Sequence, residues 1–507
     1  MAMANGMNAV GNLVKKLEGK GILLSSDVDN TLLEGIDIDL VSSKLIEKHS
    51  DSSQMLVVGS DVIRGIIDEL KTDKAPLPLD IKARAGFRAA AAEVEARYSI
   101  GNGKQQDDMR TEGSVNDFVA YFRSRLQKIK PFVSTHSAAN GMVPSLELIK
   151  SYTNGREVTI CGIVSNRIVT KNGNIMVLIE DETGDAKVMF MNGTSDKARS
   201  LFSLAGDIIN DEVIAVKGRI SGPFVIANEL IFPNVPIKER KTIDEDLAIA
   251  FISDVHVGSK RFMEKNFLKM VDWLNGNVDL GPPGLASKIK YIVMAGDVAD
   301  GIGVYPGQDR DLAILDVYMQ YKRLAELVEN IPDYIHVFML PGNHDAVQSA
   351  EPQPAISNDI LKDFKRDNIH FVPNPSYLTL HGIKVLAYHG TSLDSIIASV
   401  PNMSYAAPEK AMVETLKRRH LSPIYGGNII VPSKTDNLVI DTVPDILHMG
   451  HLHKNGITNY HGVDVVNSGT WQARTDYQIK LGHMPTPCVM PVFDAKKGSY
   501  VNMDFNG

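Results

Sequence analysis

The sequence is poor in cysteine and contains no long hydrophobic run. Only two cysteines, Cys161 and Cys488, occur among its 507 residues, and they are too far apart to match a metal-binding or redox motif. A disulfide framework is therefore excluded, and two reduced core thiols are expected. No apolar run reaches about 18 residues, and the N-terminus lacks a basic segment followed by an apolar core. The sequence predicts no membrane association and no secretion, and it favours a cytoplasmic protein.

An excess of positive charge is also missing. The formal net charge is −8, whereas proteins that bind nucleic acid unaided usually present a basic surface. A nucleic-acid substrate would therefore have to be held by local patches, by bound metal or by a partner. Twelve of the 14 histidines lie after residue 250, so any imidazole chemistry is expected in the C-terminal half.

The length and the change of pattern along the chain predict an α+β multidomain protein. A chain of 507 residues is too long for one hydrophobic core. Residues 1–75 have helical apolar spacing and predict a small helical N-terminal unit. Within it, the D-x-D-x-T segment from Asp27 to Thr31 resembles the first motif of haloacid-dehalogenase-type phosphatases. No matching βαβ core follows, so a turn and a helix cap are favoured over a nucleophile.

Residues 76–142 predict helical segments and a linker. The Ala-rich residues 81–98 predict a helix, and the polar, Gly-containing residues 101–113 predict the linker. Residues 115–130 form an amphipathic pattern with an aromatic face and basic residues around the rest. Docking of this helix on a neighbouring domain is favoured over docking on a phosphate backbone.

Residues 143–236 switch to a period of two, with short apolar runs separated by hairpin-type turns. This pattern predicts a five-stranded barrel of the OB type. Few aromatic residues lie on its strands, so a protein-contacting barrel is at least as well supported as a barrel that binds single strands. A charged linker follows, and residues 245–507 are predicted to form the domain that carries the chemistry.

Five short β-type runs in that C-terminal region each end in side chains that can bind metal. The residues concerned are Asp254 and His256; Asp297; Asn343, His344 and Asp345; His389; and His451 and His453. In sheets flanked by helices, sites are built at the C-terminal ends of strands. Chance placement would not select strand ends five times, so these residues predict one site.

The donor types in this set restrict the metal. Imidazole, carboxylate and amide groups without a thiolate suit Mn²⁺ best, with Fe or Zn²⁺ as alternatives. Seven candidate ligands among these nine residues are too many for one ion, but they fit two divalent ions that share a carboxylate. Two such ions about 3.5–4 Å apart can clamp a phosphodiester for in-line displacement.

These five motifs, in their order and spacing, resemble those of the calcineurin-like metallophosphoesterases, which implies a two-sheet αββα domain. The resemblance covers residues 247 to about 495. It implies a first metal on Asp254, His256, Asp297 and His453, and a second on Asn343, His389 and His451, with Asp297 bridging. It further implies that His344 is no ligand but protonates the leaving oxygen, while Asp345 orients the His344 ring.

A closer resemblance is to the small subunits of the archaeal family D DNA polymerases. It rests on the order of barrel and phosphoesterase, on the helix at 115–125, and on residues 350–354 and 467–472. It implies a proofreading 3′→5′ exonuclease that acts on single-stranded or mispaired 3′ ends of DNA. It also implies a heterodimer with a large catalytic subunit, and it leaves open a contact of residues 1–75 with other replication proteins.

Two other functions are considered. The chain could be a catalytically silent structural subunit, although its metal-binding residues argue against a scaffold alone. It could also be a stand-alone, repair-type metallophosphoesterase. In that class the phosphoesterase is expected first and a capping domain after it, whereas here the predicted barrel comes first.

Overall fold

The structure is a computed structural model, and it separates the chain into two compact units, Met1–Asp80 and Ile81–Gly507. The residues that it describes are 9–18, 20–33, 36, 38–49, 56–73, 81–101, 111–480 and 482–506.

The described residues of the first unit form three helices and a small parallel sheet. Its elements are α1 (Ala9–Leu17), β1 (Ile22–Leu24), α2 (Ile38–His49), β2 (Leu56–Val58) and α3 (Ser60–Asp73). Leu13, Leu17, Val41, Leu45 and Ile63 are among its buried core residues. The sequence pattern predicted helices only. It missed the two strands because each has three residues, which is too short to display a period of two.

The Asp27–Thr31 segment of this unit forms a cap and a turn. The Asp27 carboxylate accepts a hydrogen bond of 2.9 Å from the amide of Ser60, the first residue of α3. Asp29 accepts from the Thr31 hydroxyl at 2.6 Å and from the Leu32 amide at 3.0 Å. Asp27 therefore caps the start of α3, and Asp29 satisfies donors in its own turn, which are the roles favoured from the sequence.

The predicted helix over residues 81–98 is wrong. That segment holds only a 3₁₀ turn, Ala90–Glu93, and the start of strand β3 (Tyr98–Ile100). Its backbone forms hydrogen bonds with distant residues. The Arg84 amide donates to the Asn275 carbonyl at 3.0 Å, and the Ala91 carbonyl accepts from the Lys290 ammonium at 3.0 Å. These tertiary contacts override the helix propensity of alanine. Of the predicted linker, residues 102–110 lie outside the described residues.

Helix α4 (Val115–Ser134) confirms the amphipathic pattern and extends it by one turn. Ser114 and Asp117 form a capping box at its N-terminus. Tyr121, Arg125 and Leu126 are among its buried residues. The helix therefore docks within the protein, although Arg125, which the sequence placed with the polar residues, lies in the buried face.

A closed barrel follows. Its elements are β4 (Glu157–Val169), β5 (Ile175–Asp181), β6 (Gly184–Phe190), α5 (Asp196–Gly206), β7 (Val213–Ser221) and β8 (Phe224–Ile231). The strand order is β4-β5-β6-β8-β7, with β6 and β8 parallel and the other neighbours antiparallel. This confirms the predicted five-stranded barrel and the mixed α+β class. The exact domain boundaries stay predictions.

The remaining chain forms two six-stranded sheets with helices between their strands, here called the paired sheets. The strands are β9 (Ala248–Ile252), β10 (Ile289–Ala295), β11 (His336–Leu340), β12 (Ile369–Phe371), β13 (Ser376–Leu380), β14 (Ile383–Ala387), β15 (Ile446–Met449), β16 (Asn455–Tyr460), β17 (Val463–Ser468), β18 (Val489–Asp494) and β19 (Ser499–Asp504). The helices are α6 (Glu264–Leu274), α7 (Leu285–Lys288), α8 (Val317–Val328), α9 (Leu393–Ser399), α10 (Pro408–Arg418) and α11 (Asp476–Lys480).

One sheet has the order β12-β11-β10-β9-β18-β19 and the other β16-β17-β15-β14-β13-β3. Phe251, Val293 and Phe338 of the first sheet share a buried core with Val385 and Ile446 of the second. β9, β10 and β11 are parallel to one another, as are β14 and β15, so the C-terminal ends within each set lie side by side. In the part of the chain that the structure describes, no helix is both long enough and apolar enough to cross a membrane.

Candidate metal centre

The five predicted strands end where the sequence placed them, and their terminal residues meet. β9, β10 and β11 lead directly to the first three motifs, and β14 and β15 to the last two. Asp254, His256 and His453 form one group of possible ligand atoms that lie within 4.8 Å of one another, and Asp254, Asp297 and His389 form another. All five of these residues are buried. The structure therefore brings five of the seven predicted ligands into two overlapping groups. The other two, Asn343 and His451, lie next to these groups.

The first group surrounds the carboxylate of Asp254. His453 Nε2 lies 3.3 Å from Asp254 Oδ1 and 3.1 Å from His256 Nε2. His256 Nε2 lies 4.0 Å from Asp254 Oδ1 and 3.8 Å from Asp297 Oδ2. Four donors thus lie close together and come from three different strand ends.

The second group surrounds the other side of Asp297. His389 Nε2 lies 3.3 Å from Asp297 Oδ2 and 3.0 Å from Asn343 Oδ1. The same Asp297 oxygen therefore faces an imidazole from each group, namely His256 and His389. That position is the one a bridging carboxylate would take.

The contacts of His389 indicate a cation position beside Asp297. Its Nδ1 lies 2.8 Å from the carbonyl oxygen of Ala295, which can only accept, so Nδ1 carries the proton. In a neutral ring, the Nε2 lone pair would then face the Asp297 and Asn343 oxygens with no proton between them. Burial opposes protonation, but the charge and hydrogen bond of Asp297 outweigh it and raise the pKa of His389 to about 10. The imidazolium proton takes the place that a metal ion would fill.

His256 repeats this arrangement in the first group. Its Nδ1 lies 2.8 Å from Oδ1 of the buried Asp300, so its Nε2 faces inward. Burial lowers the pKa of His256, but the Asp300 hydrogen bond and the nearby carboxylates raise it to about 9. Two imidazoles thus each aim a nitrogen at carboxylate oxygen, on either side of Asp297. The residues present fit a site for divalent cations.

The backbone at these positions is in the left-handed region. The φ angles are 51° at Asp254, 53° at His256, 49° at Asp297, 67° at His451 and 55° at His453. Non-glycine residues seldom adopt this conformation, and such strain concentrates at functional sites. The sharp turns direct the side chain of each strand end inward.

Two glycines of the motifs are required by close approach. A Cβ atom on Gly342 would lie 2.2 Å from Asp297 Oδ1, and one on Gly450 would lie 2.4 Å from Asp254 Oδ2. Both distances are well below contact distance. The glycine of the G-N-H-D and G-H-L-H motifs therefore leaves the space that the carboxylates occupy.

The prediction that Asp345 orients the ring of His344 is wrong. His344 Nδ1 lies 2.8 Å from the carbonyl oxygen of Asp300 instead. The buried Asp345 accepts from the amides of Gly342 at 2.8 Å and Ala299 at 3.1 Å, and from the Tyr321 hydroxyl at 2.7 Å. Burial, and then the charge of Asp297, raise its pKa to about 6. Asp345 fixes the turn after β11 to the turn after β10, so it is a positioning residue.

His344 itself lies beside the first group. Its amide donates to Asp297 Oδ1 at 2.9 Å, and its ring nitrogen, with His256 and Asp297, forms a third group within 4.8 Å. Distance alone therefore does not separate it from the ligands, and its exclusion from them stays a prediction.

Three residues that hold the imidazoles were not predicted. Asp300 binds His256, Asp394 Oδ2 lies 3.0 Å from His451 Nε2, and Gln478 Nε2 lies 2.8 Å from His453 Nδ1. Because Nε2 of His451 is taken by Asp394, its Nδ1 is the nitrogen left for a metal. Asp300 and Asp394 follow predicted donors by three and five residues, and that spacing is the only sequence signal for them.

By class, a chain with this fold and these groups is a mixed α+β protein with a candidate metal centre between paired sheets. Its relatives define the family. It is 42% identical over 400 residues to the DNA polymerase II small subunit of Methanocaldococcus jannaschii, covering 77% of this chain and 66% of that one. The corresponding protein of Methanothermobacter thermautotrophicus is 38% identical, and the match covers 96% of this chain and 98% of that one. The protein of Archaeoglobus fulgidus is 42% identical, and the match covers 78% of each chain. The chain belongs to the archaeal DNA polymerase II small subunits, which confirms the closer resemblance found in the sequence.

Two further comparisons concern a family of polymerase subunits and solved structures. The family of B-type subunits of DNA polymerases alpha and epsilon matches residues 249–456. Among solved structures, an archaeal phosphodiesterase is 14% identical with a TM-score of 0.25, covering 50% of this chain and 98% of that one. Vps29 of Entamoeba histolytica complexed with zinc is 15% identical with a TM-score of 0.26, covering 51% and 100%. These TM-scores are too low to add to the assignment.

Proposed function

We propose that this chain is the proofreading subunit of a replicative DNA polymerase. It hydrolyses phosphodiester bonds at single-stranded or mispaired 3′ ends of DNA, in the 3′→5′ direction, with two divalent metal ions. The observation that carries the proposal is the pair of inward-facing imidazoles, His256 and His389, on either side of Asp297. Two cation positions that share one carboxylate are an arrangement that can clamp a phosphodiester for in-line displacement.

The two ions would be held by donors from five strand ends. Asp254, His256, His453 and Asp297 would hold one, and Asp297, Asn343, His389 and His451 the other. When bound, Mn²⁺, or alternatively Fe or Zn²⁺, would neutralise charge on the phosphate and lower the pKa of an attacking water.

His344 would act on the leaving group. Water adds to phosphorus and loses a proton to solvent, the P–O3′ bond breaks, and the 3′ oxygen takes a proton from His344. Because Nδ1 of His344 is held by the Asp300 carbonyl, Nε2 is the atom that transfers the proton. Burial lowers the pKa of His344 while the charge of Asp297 acts in the opposite direction, and a lower pKa makes the imidazolium the stronger acid.

The partners follow from the family and the charge. A small subunit implies a large catalytic subunit, with which this chain would form a heterodimer. The net charge of −8 leaves few phosphate contacts to this chain, so most of the DNA affinity would come from the large subunit. Contact of residues 1–75 with other replication proteins also stays a proposal.

A structural subunit without activity is the second candidate. It is less well supported because the left-handed backbone at five donors costs stability, and a scaffold would have no use for that cost. A stand-alone repair-type phosphoesterase is disfavoured by the names of the relatives.

The test is Mn²⁺-dependent digestion of 5′-labelled single strands and 3′-mismatched primers, with and without the large subunit. Wild type should shorten both substrates stepwise from the 3′ end, and His344→Ala should lower kcat by about 100-fold or more. His136→Ala, a half-buried histidine beside the barrel, is the matched control and should digest like wild type. If wild type digests nothing in either form, the scaffold becomes the better assignment.

A further inference from the structure

A cavity of about 600 Å³ lies over the candidate metal centre. Its floor contains His256, Asp297 and His344, and its walls come from chain segments outside the five motifs. Among the wall residues are three aromatic rings, Tyr305, Tyr405 and His483. None of the three was singled out by the motif pattern.

Tyr405 and His483 form one wall. Their ring centroids are 4.2 Å apart and their planes are 28° apart, so the two rings are stacked. Tyr405 lies in the connection between α9 and α10, and His483 follows α11, so two separate segments build this stack. Both side chains are half-buried. The wall stands beside Asp394, another lining residue of the cavity, which holds His451.

Tyr305 forms a separate part of the wall. Its ring centroid is 6.3 Å from that of His344, at an interplanar angle of 61°. Its hydroxyl donates to Asp311 Oδ2 at 3.0 Å, which fixes the ring. The two aromatic walls therefore have different neighbours, since one is associated with His451 and the other with His344.

We propose that the Tyr405–His483 stack is the platform for the base of the terminal nucleotide, and that Tyr305 borders the strand from which it is cleaved. The inference rests on the proposed function. The leaving 3′ oxygen belongs to the penultimate nucleotide and must lie near His344, which is the Tyr305 side. The released nucleotide then lies on the other side, where the stacked pair offers a sequence-independent surface.

The size of the cavity suits a single nucleotide. A volume of about 600 Å³ is that of a pocket for one small ligand. On this inference the terminal nucleotide leaves the duplex before its base stacks. A mispaired nucleotide leaves at lower cost, so the platform favours mispaired ends without reading the mismatch.

The experiment pairs a substrate change with a residue change in the heterodimer with Mn²⁺. One oligonucleotide ends in a normal 3′ nucleotide, and a second ends in an abasic tetrahydrofuran residue with the same phosphodiester. Wild type, Tyr405→Ala and Tyr405→Phe are compared on both, with His483→Ala as a second variant of the platform. Tyr425→Ala, an exposed tyrosine outside the cavity, is the matched control.

For wild type, removal of the base should raise KM roughly 5- to 100-fold with a smaller change in kcat. Tyr405→Ala and His483→Ala should lose most of this dependence, and their KM on the abasic strand should match that of wild type. Tyr405→Phe and Tyr425→Ala should retain it. If Tyr405→Ala and His483→Ala keep the full dependence, or if wild type shows none, the platform is overturned while the nuclease stands. If wild type cleaves neither strand, the proposed function falls and the platform with it.

Discussion

Asp300 holds two imidazoles of the candidate centre at once. Its carboxylate lies 2.8 Å from His256 Nδ1, and its backbone carbonyl lies 2.8 Å from His344 Nδ1. Its side chain is fixed by Gln472 Nε2 at 3.2 Å, and its carbonyl also accepts from Gln308 at 2.8 Å. One residue thus sets the tautomer of a proposed ligand and of the proposed acid.

Asp300→Asn removes the charge but keeps an oxygen near His256. The ring of His256 is then less basic and less firmly oriented, so we expect Mn²⁺ affinity to fall about 10- to 100-fold. Isothermal titration calorimetry of the full chain measures this change. Asp309→Asn, an exposed neighbour, should leave the affinity unchanged. An affinity equal to that of wild type in Asp300→Asn would show that the carboxylate does not support the ligand.

At the scale of single residues, the sequence predicted the candidate metal ligands better than the groups that hydrogen-bond to the site residues. The donors stand at strand ends, and strand ends can be located from apolar runs. The partner of a side chain depends on a fold that brings distant segments together. Asp345 follows His344 directly, yet its oxygen is taken by the hydroxyl of Tyr321, 24 residues earlier. Adjacency in sequence therefore suggested the wrong role for Asp345.

At the scale of the element, the turns after the strands determine the site. β15 ends at Met449, and the next residue, Gly450, packs against the Asp254 carboxylate. The His451 amide donates to the same carboxylate at 2.9 Å. The turn after β15 in one sheet therefore holds Asp254, which follows β9 in the other sheet. Accurate packing of these two turns is a condition for the site.

Gly450→Ala tests this packing. Its new Cβ would lie 2.4 Å from Asp254 Oδ2 and 2.4 Å from the Ser253 hydroxyl oxygen, so Asp254 must move. We expect a loss of about 1–3 kcal/mol in the free energy of unfolding and a large loss of Mn²⁺ binding. Urea unfolding and calorimetry measure the two effects.

Gly206→Ala in α5 is the matched control. No atom lies within 4 Å of its added Cβ, so we expect an unfolding free energy close to that of wild type and unchanged metal binding. Wild-type Mn²⁺ affinity in Gly450→Ala would contradict the proposed packing.

Element prediction succeeded where local pattern and tertiary environment agree. The apolar runs that became β9, β10, β11, β14 and β15 are buried on the paired sheets, so their composition already reflects their environment. Residues 81–98 failed for the opposite reason. Their alanines favour a helix, but Gly86 adopts φ +84° and the following backbone pairs with distant groups.

At the scale of the molecule, the barrel and the paired sheets are joined through buried charge. Arg125 of α4 donates from Nε to Asp436 Oδ2 at 2.8 Å, and to the carbonyls of Asp211 at 2.8 Å and Pro423 at 2.7 Å. Asp211 precedes barrel strand β7, and Asp436 lies before β15 in the paired sheets. His420 Nε2 also lies 2.8 Å from Asp436 Oδ2. The sequence did not reveal this junction, because an arginine on an amphipathic helix is usually solvated.

His420 makes the junction sensitive to acid. Its Nδ1 accepts a hydrogen bond of 3.0 Å from the Ser422 amide, so protonation of Nδ1 would break that bond. Burial, and then the charge of Arg125, lower its pKa from 6.5 to about 4. The unfolded chain therefore binds more protons than the folded chain between these values. Stability is fully present above pH 6.5 and falls as the pH falls towards 4.

The expected loss from this group is at most about 3 kcal/mol over that interval. His420→Gln keeps a donor for Asp436 but does not titrate, so its unfolding free energy should depend less on pH between 6.5 and 4. Urea unfolding of both proteins at several pH values gives the two slopes. Parallel curves would contradict the assignment of the slope to His420.

The left-handed turns under Asp254, His256, Asp297, His451 and His453 also bear on the history of such a chain. In a lineage released from selection for hydrolysis, replacing these residues with glycine would relieve strain of roughly 1–3 kcal/mol at each position. Selection for stability would then favour loss of the donors. Regaining them would require several destabilising replacements together. Loss of the site would therefore be difficult to reverse.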